Sequence, residues 1–358
     1  MLVTMYNIMN HFNGGAEMVG LKIGLDIGTG YVNAAVEGRG IVLSEPAVLA
    51  LENGTGKVLA VGHEANEMTG RCPDAVKLAR PLMCGSISEI ENSEKLLRIL
   101  LERICKNKIF KPTVVATMPA GITNLEKRNI LGCILRAGAG RATLIEEPLA
   151  AALGMGVMLD KPYGTMVVNI GAGTTGVAVV TMGGVAVAKT VAVGGDDMDA
   201  LIKKYLKANR GVAVGKLTAE ELKLTLGGSK LRSEAIAAVA KGKDMADGMP
   251  LFFEVTAQEV NFAIRDCVDG ICAAVASVLE VTPPELLRDI TDDGIFLCGG
   301  VSQLYGIDKS IAEATGIKVR LPGNSTNVAA LGCLRALTEE NYLEQNGYPF
   351  VTLETLNV

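Results

Sequence analysis

The sequence predicts an α/β fold built as two similar lobes around a cleft, and three observations carry that reading. A strand–glycine–strand hairpin occurs twice. Nearly half of the residues are hydrophobic, yet none of the runs reaches membrane length. Apolar spacing switches between strand and helix periods along the chain.

The hairpins come first. Met166 to Val180 reads MVVNIGAGTTGVAVV: an apolar run, a Gly-X-Gly-Thr-Thr tip and a second apolar run. Such a tip gathers backbone N–H groups at one point, and without Cβ atoms at Gly171 and Gly173 a phosphate can approach them closely. Lys22 to Val36, KIGLDIGTGYVNAAV, repeats the pattern, including the polar residue before the loop, Asp26 in one copy and Asn169 in the other. Two half-domains gripping one phosphate chain from both sides explain the repeat. Two ordinary buried hairpins are the simpler alternative, because a lone Gly-X-Gly says little.

Composition bounds the rest. A chain of 358 residues is long enough for two domains with real cores. Mean hydropathy is +0.32, but an uninterrupted apolar run of ~18 to 20 residues is absent, so no transmembrane helix is expected. Strands buried on both sheet faces account for the hydrophobicity instead. Net charge is −5 with dispersed basic residues, which argues against a nucleic-acid partner. Eight scattered cysteines without a C-x-x-C pair, beside only two histidines, argue against zinc and against a disulfide framework. That usage fits a reducing cytoplasm.

In chain order, Met1, Met5, Met9 and Phe12 fall at helical spacing, and a membrane-surface helix competes there with a disordered tail or a start at Met18. Strand signals run through Ile23–Ile27, Val32–Val36 and Ala47–Leu51, with a turn at Asn53-Gly54. Residues 56–90 read as a small insertion. Leu96, Leu97, Leu100, Leu101 and Ile104 mark an amphipathic helix over 90–104. Ile109 and Phe110 follow, bracketed by Lys106, Lys108 and Lys111, as an exposed pair suited to an anionic bilayer or as side chains tucked under the next strand. Thr113–Met118 reads as a buried strand, and Thr123 with Glu126 as a capping box. Glu146-Glu147-Pro148 then opens an Ala-rich helix, Leu149–Gly156. One of these carboxylates suits the helix N-terminus and one can point into a cleft.

Beyond the second hairpin, Val191–Asp199 ends a strand and starts a helix. Thr218 is expected to cap the helix carrying Glu220, Glu221 and Lys223, which stops at Gly227-Gly228. Residues 228–258 read as a small polar insertion with a turn at Asp247–Pro250. A long helix is expected over Ala257–Leu279. Gly294–Ser302 repeats the strand-into-glycine pattern, and Asn327–Leu337 is the last clear helix.

Taken together these pieces resemble the actin-type ATPase fold and, more closely, the MreB family, the rod shape-determining actin homologues of bacteria. The matching stretches are DIGTG (26–30), LSEPAVLAL (43–51), AVGHEANEMTGR (60–71), PAGITNLEKR (119–128), LIEEPLAAALG (144–154), GAGTTGVAVV (171–180), VGGDDMD (193–199), LTAEELKLTLG (217–227), LEVTPPELLRDI (279–290) and GIFLCGGVSQLYGIDK (294–309). They cover nearly the whole chain after residue 20, in family order.

The resemblance implies two lobes around an ATP and Mg²⁺ cleft, and assembly into filaments beneath the cytoplasmic membrane. It implies residues 21–49, 91–158 and 329–348 as subdomain IA, 50–90 as IB, 159–197 and 262–328 as IIA, and 198–261 as IIB, after an N-terminal extension, 1–20. Carried over by motif, Asp26, Gly28, Thr29, Gly30 and Tyr31 would form the first phosphate hairpin, and Gly171, Ala172, Gly173, Thr174 and Thr175 the second. Glu220, Glu221 and Lys223 would flank ribose and base; Gly299, Gly300, Val301 and Ser302 would line the adenosine side. Glu147 would polarise the attacking water with help from Thr174, while Asp26 and Asn169 would hold Mg²⁺ through water. Ile109 and Phe110 sit where the family has its membrane-touching loop. Partners implied are further copies of the chain, the membrane and membrane proteins of the cell-wall machinery.

Several residues depart from the family pattern. The second hairpin usually reads DIGGGTTE, but Asn169 replaces its Asp and Gly176 its Glu. Gly30-Tyr31 stands where Ala-Asn is usual, and Val301 where a third Gly is usual. A neutral amide is a weaker ligand for a hard cation, so slow or absent hydrolysis is expected. A non-hydrolysing filament scaffold is therefore one alternative. A small-molecule kinase of this fold is another, but no general base for it stands out. A chaperone-type ATPase would need a further domain after the core, whereas the chain ends soon after Leu337.

Overall fold

The computed structural model describes residues 20–106, 108–157, 161–232, 234–345 and 350–356. The expectations for residues 1–19 lie outside these.

Lobe I starts with β1 (Lys22–Ile27) and β2 (Tyr31–Val36), an antiparallel pair with Ile27 opposite Val32, so residues 28–30 form the tip. Ile23, Leu25 and Ile27 alternate into the core as the pleat requires. β3 (Gly40–Pro46) pairs with β2 and was not expected from the sequence. Its side chains are mostly half-buried, as befits an edge strand, and leave a weak apolar signal. The strand expected over Ala47–Leu51 begins instead at β4 (Leu49–Glu52), past Pro46, which has no N–H to extend the ladder.

β4 belongs to a small sheet with β5 (Val58–Val61) and β6 (Val76–Ala79), decorated by α1 (His63–Glu67) and the hairpin of β7 (Leu82–Met83) and β8 (Ser86–Ile87). α2 (Ile90–Ile104) buries the expected stripe from Leu96 to Ile104. β9 (Thr113–Met118) and β10 (Arg141–Glu146) add in parallel beyond β1. Between them lies α3 (Asn124–Arg136), closed by the expected capping box: the Glu126 carboxylate accepts from the Thr123 N–H at 2.9 Å. α4 (Glu147–Gly154) starts two residues before the expected helix, with Glu146 at its N-cap and Pro148 in its first turn.

Lobe II repeats the plan. β11 (Thr165–Ile170), β12 (Thr175–Thr181) and β13 (Gly184–Val191) form an antiparallel meander. α5 (Gly195–Arg210) ends at Gly211 with φ 63°, and β14 (Val212–Ala213) follows. α6 (Lys216–Leu226) has Gly215 at its N-cap, so Thr218 lies inside the first turn and does not cap it. Residues expected as a polar insertion hold the hairpin β15 (Ala237–Asp244) and β16 (Pro250–Thr256), whose exposed faces hid the strand pattern. Its turn is where the Asp247–Pro250 signal put it.

α7 (Ala257–Glu280) follows, capped by Thr256 and Glu259, and then α8 (Pro284–Asp293). β17 (Ile295–Cys298) leads through a 3₁₀ turn, Gly300–Gln303, to α9 (Ile307–Thr315) and β18 (Val319–Arg320). The main sheets run β3-β2-β1-β9-β10 and β13-β12-β11-β17-β18. Each has its hairpin on one side and parallel strands on the other.

The chain then returns to lobe I through α10 (Val328–Thr338) and α11 (Glu340–Gln345). α10 lies across α4 and β1, and a third apolar cluster there unites Val115 and Ile145 with Val167 and Cys298 of the other lobe. This cluster is the base from which the cleft opens. Among the described residues no helix is long and apolar enough to cross a membrane.

Candidate nucleotide site in the cleft

The β1–β2 and β11–β12 hairpins come from different sheets, and their tips meet at the top of the shared base. In the β1–β2 tip the Gly28 N–H donates to the Tyr31 carbonyl at 3.0 Å; in the β11–β12 tip the Gly171 N–H donates to the Thr174 carbonyl at 2.8 Å. The second tip is bolted to α5, since the N–H groups of Gly195 and Asp196 donate to the Gly171 and Ala172 carbonyls at 3.0 and 2.8 Å. Around both tips lies a cavity of about 630 Å³, the size of a small-molecule or cofactor site.

Most residues singled out in the sequence line this cavity. Lobe I contributes Asp26, Gly28, Thr29, Gly30, Tyr31 and Glu147; lobe II contributes Asn169, Gly171, Ala172, Gly173 and Thr174. Glu220 and Lys223 reach it from α6, and Gly299, Gly300 and Val301 from the loop after β17. Three others do not face it. Glu221 is exposed on the far side of α6. Thr175 and Ser302 are buried behind the loops they brace, their hydroxyls donating to the Val193 and Gly299 carbonyls at 2.8 and 2.6 Å.

The floor holds the titratable chemistry. Asp26 ends β1 and is fixed by the Thr117 hydroxyl at 3.0 Å and the Asn33 amide at 3.2 Å. Thr117 is itself oriented by the Ile27 N–H, and Asn33 by the Ser44 hydroxyl. Burial raises the Asp26 carboxyl above its ordinary value, with these two donors opposing the rise. Glu147, the first residue of α4 and the acid of its first turn, points into the cleft. Glu146 holds the N-cap position, but its side chain makes no capping hydrogen bond and instead faces Lys127 and the Gly121 backbone. The cleft and helix-dipole roles foreseen for two carboxylates both fall to Glu147. Burial, then the Asp26 charge, lifts Glu147 from 4.5 to about 8; a hydrogen bond from the Asn169 side-chain amide opposes the rise.

Departures from the family pattern find physical accommodation. Asn169 donates to Glu147 where an acid would repel it. Val301 turns its branched side chain onto the start of α5, where a methyl on Gly195 would lie 3.2 Å from its Cγ2. Lys223 is held at the same place by the Gly195 carbonyl at 3.0 Å and by Asp199 at 2.8 Å. Burial still lifts Asp199 to about 6 against that neighbouring charge.

Two carboxylates and one amide oxygen are too few donors to cage a cation, and no cluster of three or more metal-ligating side chains exists among the described residues. Such a floor fits a hard cation that keeps water and takes its other oxygens from phosphate.

Several lining residues escaped the sequence reading. Arg80 donates to Asn66 at 2.8 Å at the lobe I rim, Lys216 pairs with Asp196 at 2.7 Å opposite, and Arg232 stacks on Tyr305 at 4.7 Å. Arg80 and Arg232 come from the small insertions, where no local pattern marks them. Ile109 and Phe110 lie far from this chemistry in the loop before β9. They are 92% and 41% exposed, so the pair projects outward and Phe110 is not a core residue.

One consequence concerns pH. A Glu147 carboxyl at about 8 in the fold keeps a proton that the unfolded chain releases near 4.5, so its contribution to stability is present below about 4.5 and lost as pH rises to about 8. Asn169→Asp removes the opposing donor and adds a third carboxylate. In metal-free buffer the melting temperature of that variant should therefore fall further below wild type at pH 8 than at pH 5. A difference that does not change with pH would contradict this electrostatic account.

Comparison with known proteins agrees with this geometry. The family model described as MreB/Mbl protein matches residues 20–345. The cell shape-determining protein Mbl of Bacillus cereus is 37% identical over 316 residues, spanning 88% of this chain and 95% of that protein. The cell shape-determining protein MreB of Escherichia coli K12 is 37% identical over 321 residues, spanning 88% and 92%. MreB5 of Spiroplasma citri superimposes with a TM-score of 0.85 when bound to ADP, at 29% identity over 93% of this chain and 100% of that one. Bound to AMPPNP it gives 0.86, at 30% identity over 92% and 99%. With its actin-like pair of lobes, its paired glycine tips and these likenesses, the chain belongs to the MreB/Mbl family.

Proposed function

We propose that this protein binds ATP in the cleft and assembles into membrane-associated cytoskeletal filaments that act in bacterial cell shape. The observation that carries the nucleotide half is the meeting of two glycine tips around one cavity, with Asp26 and Glu147 at its floor. The nucleotide-bound state of MreB5 supports it. In this reading the tip amides hold the phosphate chain, Glu220 and Lys223 flank ribose and base, and Gly299, Gly300 and Val301 flank adenosine. Asp26, and Asn169 through water, would hold Mg²⁺, which neutralises charge on the phosphate oxygens. Glu147 orients the attacking water and Thr174 helps to place it. The four subdomains set out from the sequence, and a cytoplasmic location, belong to the same reading.

Hydrolysis is the weaker half of the activity. A Glu147 that is tied to Asn169 is less free to polarise water, which supports slow turnover or a scaffold that binds without hydrolysing. Titration with AMPPNP and Mg²⁺ tests the binding claim. Saturable binding to one site is expected, and absence of binding would overturn it.

Membrane association rests on the outward Ile109 and Phe110 and on family membership. Burying such a pair contributes about 1.5–3 kcal/mol per side chain, too little to hold a monomer, but a filament repeats the contact. Phe110→Asp should release filaments from anionic liposomes while leaving sedimentation without liposomes unchanged. Retained liposome binding would remove this loop from the account.

A further inference from the structure

The two hairpin tips touch one another, and they do so through a pair of small-against-large contacts that run in opposite senses. A methyl on Gly30 of lobe I would lie 2.7 Å from the Ala172 Cβ of lobe II, closer than real Cβ atoms come. A methyl on Gly173 of lobe II would lie 2.9 Å from Cγ2 and 3.1 Å from Oγ1 of Thr29 in lobe I. Each tip therefore offers one projecting side chain and one bare backbone site to receive its partner's. Neither Gly30 nor Gly173 has a positive φ, so backbone strain does not demand glycine at either position. The opposing side chain does.

The contact is also rigidly backed. Thr29 accepts a hydrogen bond from the Gly85 N–H at 3.1 Å, so it cannot retreat without losing that bond. Ala172 is held by its carbonyl to the Asp196 N–H, and Gly194 packs so closely behind it that a methyl there would fall 2.5 Å from the same carbonyl oxygen. Two tips fixed from behind leave room between them for one methyl at the 30/172 contact.

We infer that Gly30 and Ala172 are a size-matched pair of positioning residues that sets how closely the two phosphate hairpins approach each other. The inference rests on the nucleotide reading for its consequence, because amides on opposite tips must both reach one phosphate chain. A second methyl wedges the tips apart and weakens the grip; moving the methyl across the contact does not.

A double-mutant cycle tests this on the full chain with Gly30→Ala, Ala172→Gly and the double variant. AMPPNP affinity in Mg²⁺ and the melting temperature without nucleotide are both read. Gly30→Ala alone should weaken AMPPNP binding about tenfold or more and lower the melting temperature. Ala172→Gly alone loosens the contact and should weaken AMPPNP binding less than Gly30→Ala does, and the double variant should recover most of the affinity that Gly30→Ala loses, to within about threefold of Ala172→Gly. Independent effects in both readouts would overturn the pairing. Coupling in melting temperature without coupling in affinity would reduce the pair to packing and overturn its positioning role. A wild type that fails to bind AMPPNP would sink the nucleotide reading, while the nucleotide-free melts would still report whether the tips are size-matched.

Discussion

Glu147→Gln is expected to lower phosphate release from Mg-ATP by about 100-fold or more from the rate the wild type sustains, in line with the removal of a carboxyl group that orients the attacking water. Gln is nearly isosteric and its carbonyl oxygen can still accept from Asn169, so the fold and the cavity should survive. AMPPNP affinity should stay within about threefold of wild type, because Glu147 lies at the floor beside Asp26 and not on either tip. Phosphate release measured beside AMPPNP titration separates the two. Unchanged release in this variant would remove Glu147 from the chemistry, and lost AMPPNP binding would make it a binding residue.

The largest effect on stability is expected at the crossing of α4 and α10. Gly332 and Gly154 face each other there, and a methyl on Gly332 would fall 1.6 Å from the Ala150 carbonyl oxygen and 2.9 Å from the Gly154 nitrogen. Both obstacles are backbone inside helices, so neither can turn aside as a side chain would. α10 also lies on β1, where a methyl on Gly24 would meet the Ala330 carbonyl at 2.3 Å, so α10 is pinned on two sides. Gly332→Ala must push helices apart in the base that joins the lobes, and a cost of about 3 kcal/mol or more follows from overpacking of this kind. Urea unfolding should show a clearly lower midpoint, or no soluble protein. A midpoint equal to wild type would mean that the crossing is looser than the structure has it.

How much of this was legible in the sequence depended on how local the signal is. The two hairpins, the stripe of α2 and the capping box at Thr123 were readable because each is set by residues close in the chain. β3 and the β15–β16 hairpin were not, since their strands are half-exposed and lack a clear apolar alternation. Thr218 looked like a cap by residue type, but α6 begins earlier, at a glycine that offers its backbone alone.

The site divides in the same way. Asp26, Glu147 and the tip glycines stand at turns between strands or at a strand-to-helix junction, where sequence pattern and position in space coincide. Glu220 and Lys223 reach the cavity and Glu221 does not, a matter of helix phase that the start of α6 decides. Arg80 and Arg232 arrive from distant insertions, and only tertiary folding brings them to the rim. The Gly30–Ala172 contact likewise joins residues that nothing along the chain pairs.

In the proposed function, nucleotide held in the cleft drives filament assembly. Light scattering with simultaneous phosphate release from Mg-ATP, for wild type and Asn169→Asp, tests it most directly. The account predicts assembly that depends on Mg-ATP, with slow release in the wild type and faster release once the carboxylate is restored. Neither assembly nor ATP binding in either protein would contradict it.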